Sequence, residues 1–355
     1  MTETPSHTRT RTARYGSSHE PLLEVDDLHV EFRTQHGVVR AVNGISYTVS
    51  PGESLAILGE SGSGKSVSAQ AIMGILDTPP GFITEGSIKF RGADMLTMSA
   101  GEQRDIRGPG ISIVFQDALS SLNPVFTVGH QIAEMFRAHR GTSRKEAKAH
   151  AVELLERVGI PAAKARANDH PHEFSGGMRQ RVMIAMALAL DPEVLIADEP
   201  TTALDVTVQA QIMALLDELQ RDTGMGLVLI THDLGVVNEV VDRVAVMYAG
   251  EIVESGEIDA VFTDPAHPYT EGLMASVPEA EVKGKRLRPI TGTPPNLAAI
   301  PAGCPFHPRC PRARFGAEAG PGRDCAVDVP PLLEVRAARH SACHYSEEVL
   351  GERAD

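Results

Sequence analysis

Two runs of residues have types and spacing suited to chemistry. Gly59-Glu60-Ser61-Gly62-Ser63-Gly64-Lys65-Ser66 satisfies the phosphate-cradling pattern G-x-x-x-x-G-K-S/T at every fixed position. Its glycines permit backbone conformations that a Cβ would block, so consecutive N–H groups can wrap phosphates. Lys65 then reaches the β- and γ-phosphates, and the Ser66 hydroxyl takes one Mg²⁺ position. More than a hundred residues later, Ser175-Gly176-Gly177 is a turn running into a helix, a second place where backbone N–H groups can meet phosphate. Two such elements so far apart suggest a nucleotide held between two copies of one surface.

Other candidates stand at the ends of apolar runs. Val194-Leu195-Ile196-Ala197 delivers Asp198 and Glu199 side by side, and because strand side chains alternate faces the two carboxylates cannot share one role. Asp198 is expected to hold magnesium through water, and Glu199 to orient the water that attacks the γ-phosphate. Val228-Leu229-Ile230-Thr231 delivers His232, expected to face the γ-phosphate. Ile113-Val114-Phe115 leads to Gln116, whose amide can meet Mg²⁺ or the attacking water. Phosphoryl transfer to water asks mainly for positioning and charge stabilisation, and Lys65, Ser66, Gln116, Asp198, Glu199 and His232 meet that need. Phe32 is the best aromatic for stacking on a base, with a packed core phenylalanine as the alternative.

These residues need a scaffold of strands alternating with helices, and the sequence supplies one. Ser54–Leu58 reads as a buried strand feeding the phosphate loop, with a helix over Val67–Leu76 after it. A helix over Gly177–Leu190, a strand over Val194–Asp198, a helix over Thr207–Thr223 and a strand over Gly226–Ile230 continue the alternation. This implies an α/β fold on a mainly parallel sheet covered on both faces. Between Gln116 and about Pro171 the texture turns charge-rich and helix-forming, as an inserted helical subdomain would. The expected division is a disordered tail at 1–20, a nucleotide-binding domain at 21–264 with the helical subdomain at about 117–175, a C-terminal module at 265–347, and a tail at 348–355.

The 355 residues carry a formal charge of −14, against the basic footprint of nucleic-acid binding. The longest apolar run, Val182–Leu190, is far short of a bilayer crossing. Residues 1–20 have no apolar core of a secretory signal, which points to a reducing compartment. All four cysteines, Cys304, Cys310, Cys325 and Cys343, follow residue 300. In that compartment they read as a metal site before disulfides, with tetrahedral zinc or an iron–sulfur cluster as candidates.

The span from Leu22 to about Asp264 resembles the ATP-binding cassette (ABC) ATPases. The order is that of the family: phosphate loop, Gln116, signature Ser175-Gly176-Gly177-Met178-Arg179-Gln180, strand acids, Ala203-Leu204-Asp205, and His232. Phe174, Met178 and Thr202 depart from its commonest pattern, but the Ser-Gly-Gly backbone is intact. The resemblance implies a P-loop NTPase fold and a head-to-tail dimer with ATP at each interface. Gly59, Ser61, Gly62, Ser63, Gly64, Lys65 and Ser66 of one subunit would face Ser175, Gly176 and Gly177 of the other, with Asp205 coupling the two sites. Phe115-Gln116-Asp117, Ser120-Ser121-Leu122-Asn123-Pro124, Asp264-Pro265-Ala266-His267-Pro268-Tyr269-Thr270 and the cysteine tail narrow the resemblance to ATPase subunits of bacterial oligopeptide and dipeptide importers.

That group implies docking on transmembrane permease subunits at the cytoplasmic face of the membrane. It also implies a second ATPase chain (a heterodimer before a homodimer), indirect work with a substrate-binding protein, and a 4Fe-4S cluster on Cys304, Cys310, Cys325 and Cys343, with Zn²⁺ as the alternative. Import of another solute such as nickel or a sugar, or a soluble non-transport role, are the competing readings.

Overall fold

Parallel strands covered on both faces must be apolar along their length, and this decides which segments form the central sheet. The computed structural model describes residues 20–276 and 289–351 apart from Ala203, Val236 and Glu239; nearly all of the N-terminal tail and Ala203 of the Ala203-Leu204-Asp205 run lie outside them. Among the described residues there are twelve strands: β1 Leu23–Thr34, β2 Gly37–Val49, β3 Ser54–Leu58, β4 Gly81–Phe90, β5 Ala93–Asp94, β6 Ile111–Val114, β7 Val194–Asp198, β8 Gly226–Thr231, β9 Arg243–Tyr248, β10 Glu251–Glu257, β11 Leu333–Arg336 and β12 Arg339–Ser341. Every residue of β3, β7 and β8 is buried.

The main sheet has the order β11-β12-β10-β9-β3-β8-β7-β6. From β9 to β6 its strands run parallel, and β10, β12 and β11 add an antiparallel extension. Alternation along each parallel strand feeds two cores. Leu55, Ile57, Ile196 and Ile230 face one, whereas Ala56, Leu58, Ala197 and Leu229 face the other. The second core is closed by the helices Gly176–Leu188 and Val206–Thr223 and by the helical subdomain. There Val128–Arg140 and Arg144–Arg157 pack through Ile132, Phe136, Ala151 and Leu155. Ser143 starts the second of these helices with a capping box closed by Glu146.

The other core is closed by the helix Lys65–Met73 and by a second sheet of order β2-β1-β4-β5. The reason is legible in β1: Leu23, Val25, Leu28 and Val30 are buried while most of their neighbours face outward, the pattern of a one-sided antiparallel strand. A register shift after Val25, with Asp27 at φ +48°, returns Leu28 to the inner face.

The C-terminal residues are woven into this architecture. β12 pairs with β10, and at that seam the Arg339 guanidinium donates to Glu254 Oε1 at 2.9 Å, with side chains only 3% and 0% exposed. Glu254 also accepts from the backbone N–H groups of Ala266 and His267 at 2.8 and 2.9 Å, so this buried carboxylate is satisfied on both oxygens.

Candidate active site

The C-terminal ends of the parallel strands meet along one edge, as open α/β sheets require of a ligand crevice. Leu58 pairs with Thr231, Asp198 with Ile230, and Val114 with Ala197, so the residues after each strand arrive together. The phosphate loop follows β3 and ends at Gly64, the N-cap of the helix Lys65–Met73. Gly64 has φ +104°, and a Cβ there would come within 2.1 Å of the Ala41 carbonyl oxygen; no other residue fits. No side chain caps this helix, which leaves its first N–H groups to an anion.

Lys65 is buried and donates to the carbonyls of Gly59 and Glu60 at 2.8 and 2.9 Å. Burial lowers its proton affinity, opposed by the nearby carboxylates of Glu199, Asp198 and Glu60. Ser66 Oγ donates to Asp198 Oδ1 at 2.9 Å, a pair of hard oxygen donors across two elements. Burial raises Asp198, with the Ser66 bond acting against it.

Glu199 is the hub of the edge. Its Oε2 accepts from Gln116 Nε2 and from Thr202 Oγ1, both at 2.9 Å, and its Oε1 lies 3.3 Å from His232 Nδ1. Its backbone is in the left-handed region at φ +45°, with its N–H on the Ile230 carbonyl at 2.8 Å. A non-glycine residue held there stores about 1 kcal/mol of strain, which is how the chain turns the carboxylate away from the line of β7. Lys65, Ser66, Gln116, Asp198, Glu199 and His232 are thus one connected group. Thr202 belongs with them too; its position three residues after Glu199 in a turn was the available signal.

Phe32 lies on β1, half-buried against the core beneath the antiparallel sheet. Ser175 and Asp205 are N-caps of neighbouring helices, accepting from Met178 N at 3.4 Å and Val208 N at 3.0 Å. The two helix starts press together at Gly177, where a Cβ would meet Val208 Cγ1 at 2.4 Å. Among the described residues no hydrogen bond or ion pair joins Ser175–Gly177 to the phosphate loop. The signature turn and the loop are separate surfaces of one chain.

Comparison with known proteins agrees with this arrangement. Residues 42–202 match the ABC transporter family model, and residues 253–315 match that of the oligopeptide/dipeptide transporter C-terminal region. The chain is 50% identical to a putative peptide import ATP-binding protein of Brucella abortus, covering 94% of this chain and 99% of that one. It is 52% identical to a dipeptide transport ATP-binding protein of Bacillus subtilis, over 82% of this chain and 87% of the relative. A dimeric ATP-binding cassette in a post-hydrolysis state with ADP and Pi superposes with TM-score 0.60 at 28% identity, covering 66% of this chain and 98% of that one.

One expectation is corrected. Cys304, Cys310, Cys325 and Cys343 line a common cavity, but its volume is about 20 Å³, room for little more than a water. Burial pushes the thiols of Cys304 and Cys343 up to about 12 and that of Cys310 to about 11. Among the described residues the potential ligand atoms gathered within 4.8 Å of one another are those of Asp27, His29 and Glu85, and no cysteine joins such a group. The relatives are named for peptide import or transport and for ATP binding, with nothing of iron or sulfur. The iron–sulfur reading of the tail therefore falls. What remains is a phosphate loop, a magnesium-type oxygen pair and a carboxylate hub on a shared scaffold, and by sequence and fold together the chain belongs to the ABC transporter family as an ATP-binding ATPase.

Proposed function

We propose that this chain powers a membrane importer of di- or oligopeptides by binding ATP between two ATPase subunits and hydrolysing it. The observation that carries the reading is the Glu199 hub, joined at one strand edge to the Ser66–Asp198 pair and to Lys65. The phosphate loop holds the triphosphate, with Phe32 stacking on the base. Lys65 moves from the Gly59 and Glu60 carbonyls to the β- and γ-phosphates. Ser66 and Asp198, with Gln116, are the oxygen donors that would hold Mg²⁺. Magnesium, when bound, supplies charge neutralisation on the phosphate oxygens. Glu199 accepts a proton from the attacking water and His232 donates to the γ-phosphate, while Gln116 and Thr202 fix the carboxylate between them.

Ser175, Gly176 and Gly177 act on the nucleotide of the facing subunit. Their separation from the phosphate loop supports this reading, as does the dimeric state of the superposable cassette. The facing subunit is read as a related ATPase chain, so the pair is a heterodimer. Peptide as cargo rests on the C-terminal region match and on relatives named for peptide or dipeptide transport.

No helix among the described residues is long and apolar enough to cross a membrane. The cargo is read as passing through separate permease subunits, fed by a substrate-binding protein on the far side. Phe115, Leu119, Val125 and Phe126 are exposed on the helical subdomain, beside a groove of about 300 Å³ lined by Met73, Arg107, Phe115, Leu122 and Met135. This apolar face suits helices presented by the permease at the cytoplasmic side. The test is co-expression with candidate permease subunits, followed by ATPase assay of the assembly in lipid with peptide-loaded binding protein. Stimulation by peptide, and a stable complex containing a second ATPase chain, are expected. Stimulation by nickel or a sugar instead, or activity indifferent to any membrane partner, would overturn the reading.

A further inference from the structure

The phosphate-loop pattern leaves four positions free, and Glu60 fills the first of them. Among the described residues no hydrogen bond joins its side chain to the rest of the loop. Both carboxylate oxygens are taken by Arg309, with Nη1 to Oε2 at 2.6 Å and Nη2 to Oε1 at 3.0 Å. The Glu60 backbone N–H donates to the Tyr269 hydroxyl at 2.9 Å. Its carbonyl accepts from Lys65 Nζ at 2.9 Å. The peptide that opens the phosphate loop is therefore gripped at its N–H and its side chain by two residues more than two hundred positions downstream, and its carbonyl holds the phosphate-seeking lysine.

The grip is built to be stiff. The Arg309 side chain is only 5% exposed, and its remaining donors reach the Thr291 carbonyl at 3.1 Å and the Tyr248 hydroxyl at 3.4 Å. Tyr269 is fully buried, its ring 4.5 Å from that of Tyr248 and 5.4 Å from that of Phe306. A two-pronged guanidinium–carboxylate pair fixes direction as well as distance, which a lone lysine could not do. Burial raises the Tyr269 hydroxyl pKa, so it stays protonated and can accept the Glu60 N–H while remaining a neutral group.

From this we infer that Tyr269 and Arg309 are positioning residues for nucleotide binding: the C-terminal region sets the affinity of the ATP site by clamping Glu60. When Lys65 leaves the Gly59 and Glu60 carbonyls for the phosphates, the loop has to keep its shape without it. The clamp supplies that shape in advance, so its loss should weaken binding more than it slows the bound complex. The inference rests on Gly59–Ser66 being the phosphate loop.

The test is MgATP affinity of the full chain by equilibrium titration, beside thermal unfolding. Arg309→Met leaves the Glu60 carboxylate free to turn to water, and about a ten-fold rise in Kd is expected, with folding retained. Glu60→Gln should give a comparable rise, and the double variant should be no weaker than either single one, because both remove one interaction. Arg309→Lys should recover part of the loss. Tyr269→Phe keeps the packed ring and removes only the acceptor, so it should raise Kd a few-fold even where the charge variants fold poorly. Unchanged Kd with a lowered melting temperature would overturn the inference, since the pair would then merely tie two segments together. Additive effects of Arg309→Met and Glu60→Gln would also overturn it. Lys65→Ala serves as the control: normal ATP binding by that variant would remove the phosphate-loop assignment itself, a failure distinct from that of the clamp.

Discussion

Replacing Glu199 by glutamine separates chemistry from structure at the hub. The amide keeps the volume and one oxygen of the carboxylate, so Gln116 or Thr202 can still donate to it. It cannot accept a proton from water. A positioned base contributes about 10²–10⁴-fold to a rate, so turnover should fall by that factor, equivalent to about 3–5 kcal/mol on the barrier. The stability effect should be small on simple grounds of charge. Glu199 and Asp198 are both buried, 9% and 6% exposed, and removing one carboxylate relieves their repulsion while one charge-assisted bond is lost. Those two effects are each on the order of 1 kcal/mol and oppose one another. The assay is phosphate release by the permease-bound assembly, together with urea unfolding of the isolated chain and ATP binding at equilibrium. Binding should persist and the nucleotide-bound dimer should accumulate. Turnover within ten-fold of the parent together with a stability loss above about 2 kcal/mol would refute the reasoning, because Glu199 would then be a structural anchor.

Three other perturbations test particular contacts. Gly177→Ala drives a Cβ into Val208 at 2.4 Å, so a loss of about 1–3 kcal/mol in urea and a collapse of ATPase activity are expected. Arg339→Met strands the Glu254 carboxylate at 0% exposure and should cost about 3–5 kcal/mol, read as a lower urea midpoint with Glu254→Gln/Arg339→Met recovering much of it. His267 is fully buried and its pKa is pushed down to about 3, so the fold holds it neutral while the unfolded chain protonates it below about 6.5. Stability should therefore fall as pH drops below 6.5, by about 1.4 kcal/mol per unit down toward pH 3, and His267→Asn, which can still cap Tyr269 N, should flatten that limb in urea titrations at graded pH.

The residues that meet at the strand edge were legible because buried parallel strands and a glycine-rich loop both leave strong local marks. β3 and β7 follow from apolar runs that end at Gly59 and at Asp198. β4 was hidden because Glu85-Gly86 interrupts its apolar pattern, and β9 because its edge carries no motif. The hydrogen bonds to Glu199 were only half visible: the strand ends place Gln116 and His232, but Thr202 enters through a local turn closed by Thr202 N on the Glu199 carbonyl, which no residue of the Glu199–Thr202 stretch marks as strongly as a glycine-rich loop would. The cysteine spacing misled for a related reason. Four thiols in a proline-rich tail do converge in space, yet convergence in a cavity of about 20 Å³ is packing, and spacing along the chain does not report the volume between side chains.

A boundary drawn where helix and strand periodicity fades, near Asp264, separates in sequence what the sheet joins in space. β10 belongs to the cassette, and β12 is hydrogen-bonded to it through Glu254–Ser341 and Ser255–His340. The same seam holds the Glu254–Arg339 pair, and from it the chain reaches Tyr269 through the N-cap at His267. Tyr269 in turn touches Glu60. One short path therefore runs from the last strands of the sheet to Glu60 in the phosphate loop, through buried and part-buried hydrogen bonds and one buried ion pair. Buried polar contacts tolerate little slack, because a half-satisfied group costs more than an absent one. A displacement at β12 must then either break a bond on that path or be passed along it. This makes the C-terminal region part of the nucleotide site's frame, and it explains why His267 and Tyr269 stand where a loop residue of ordinary polarity would have sufficed to connect two segments.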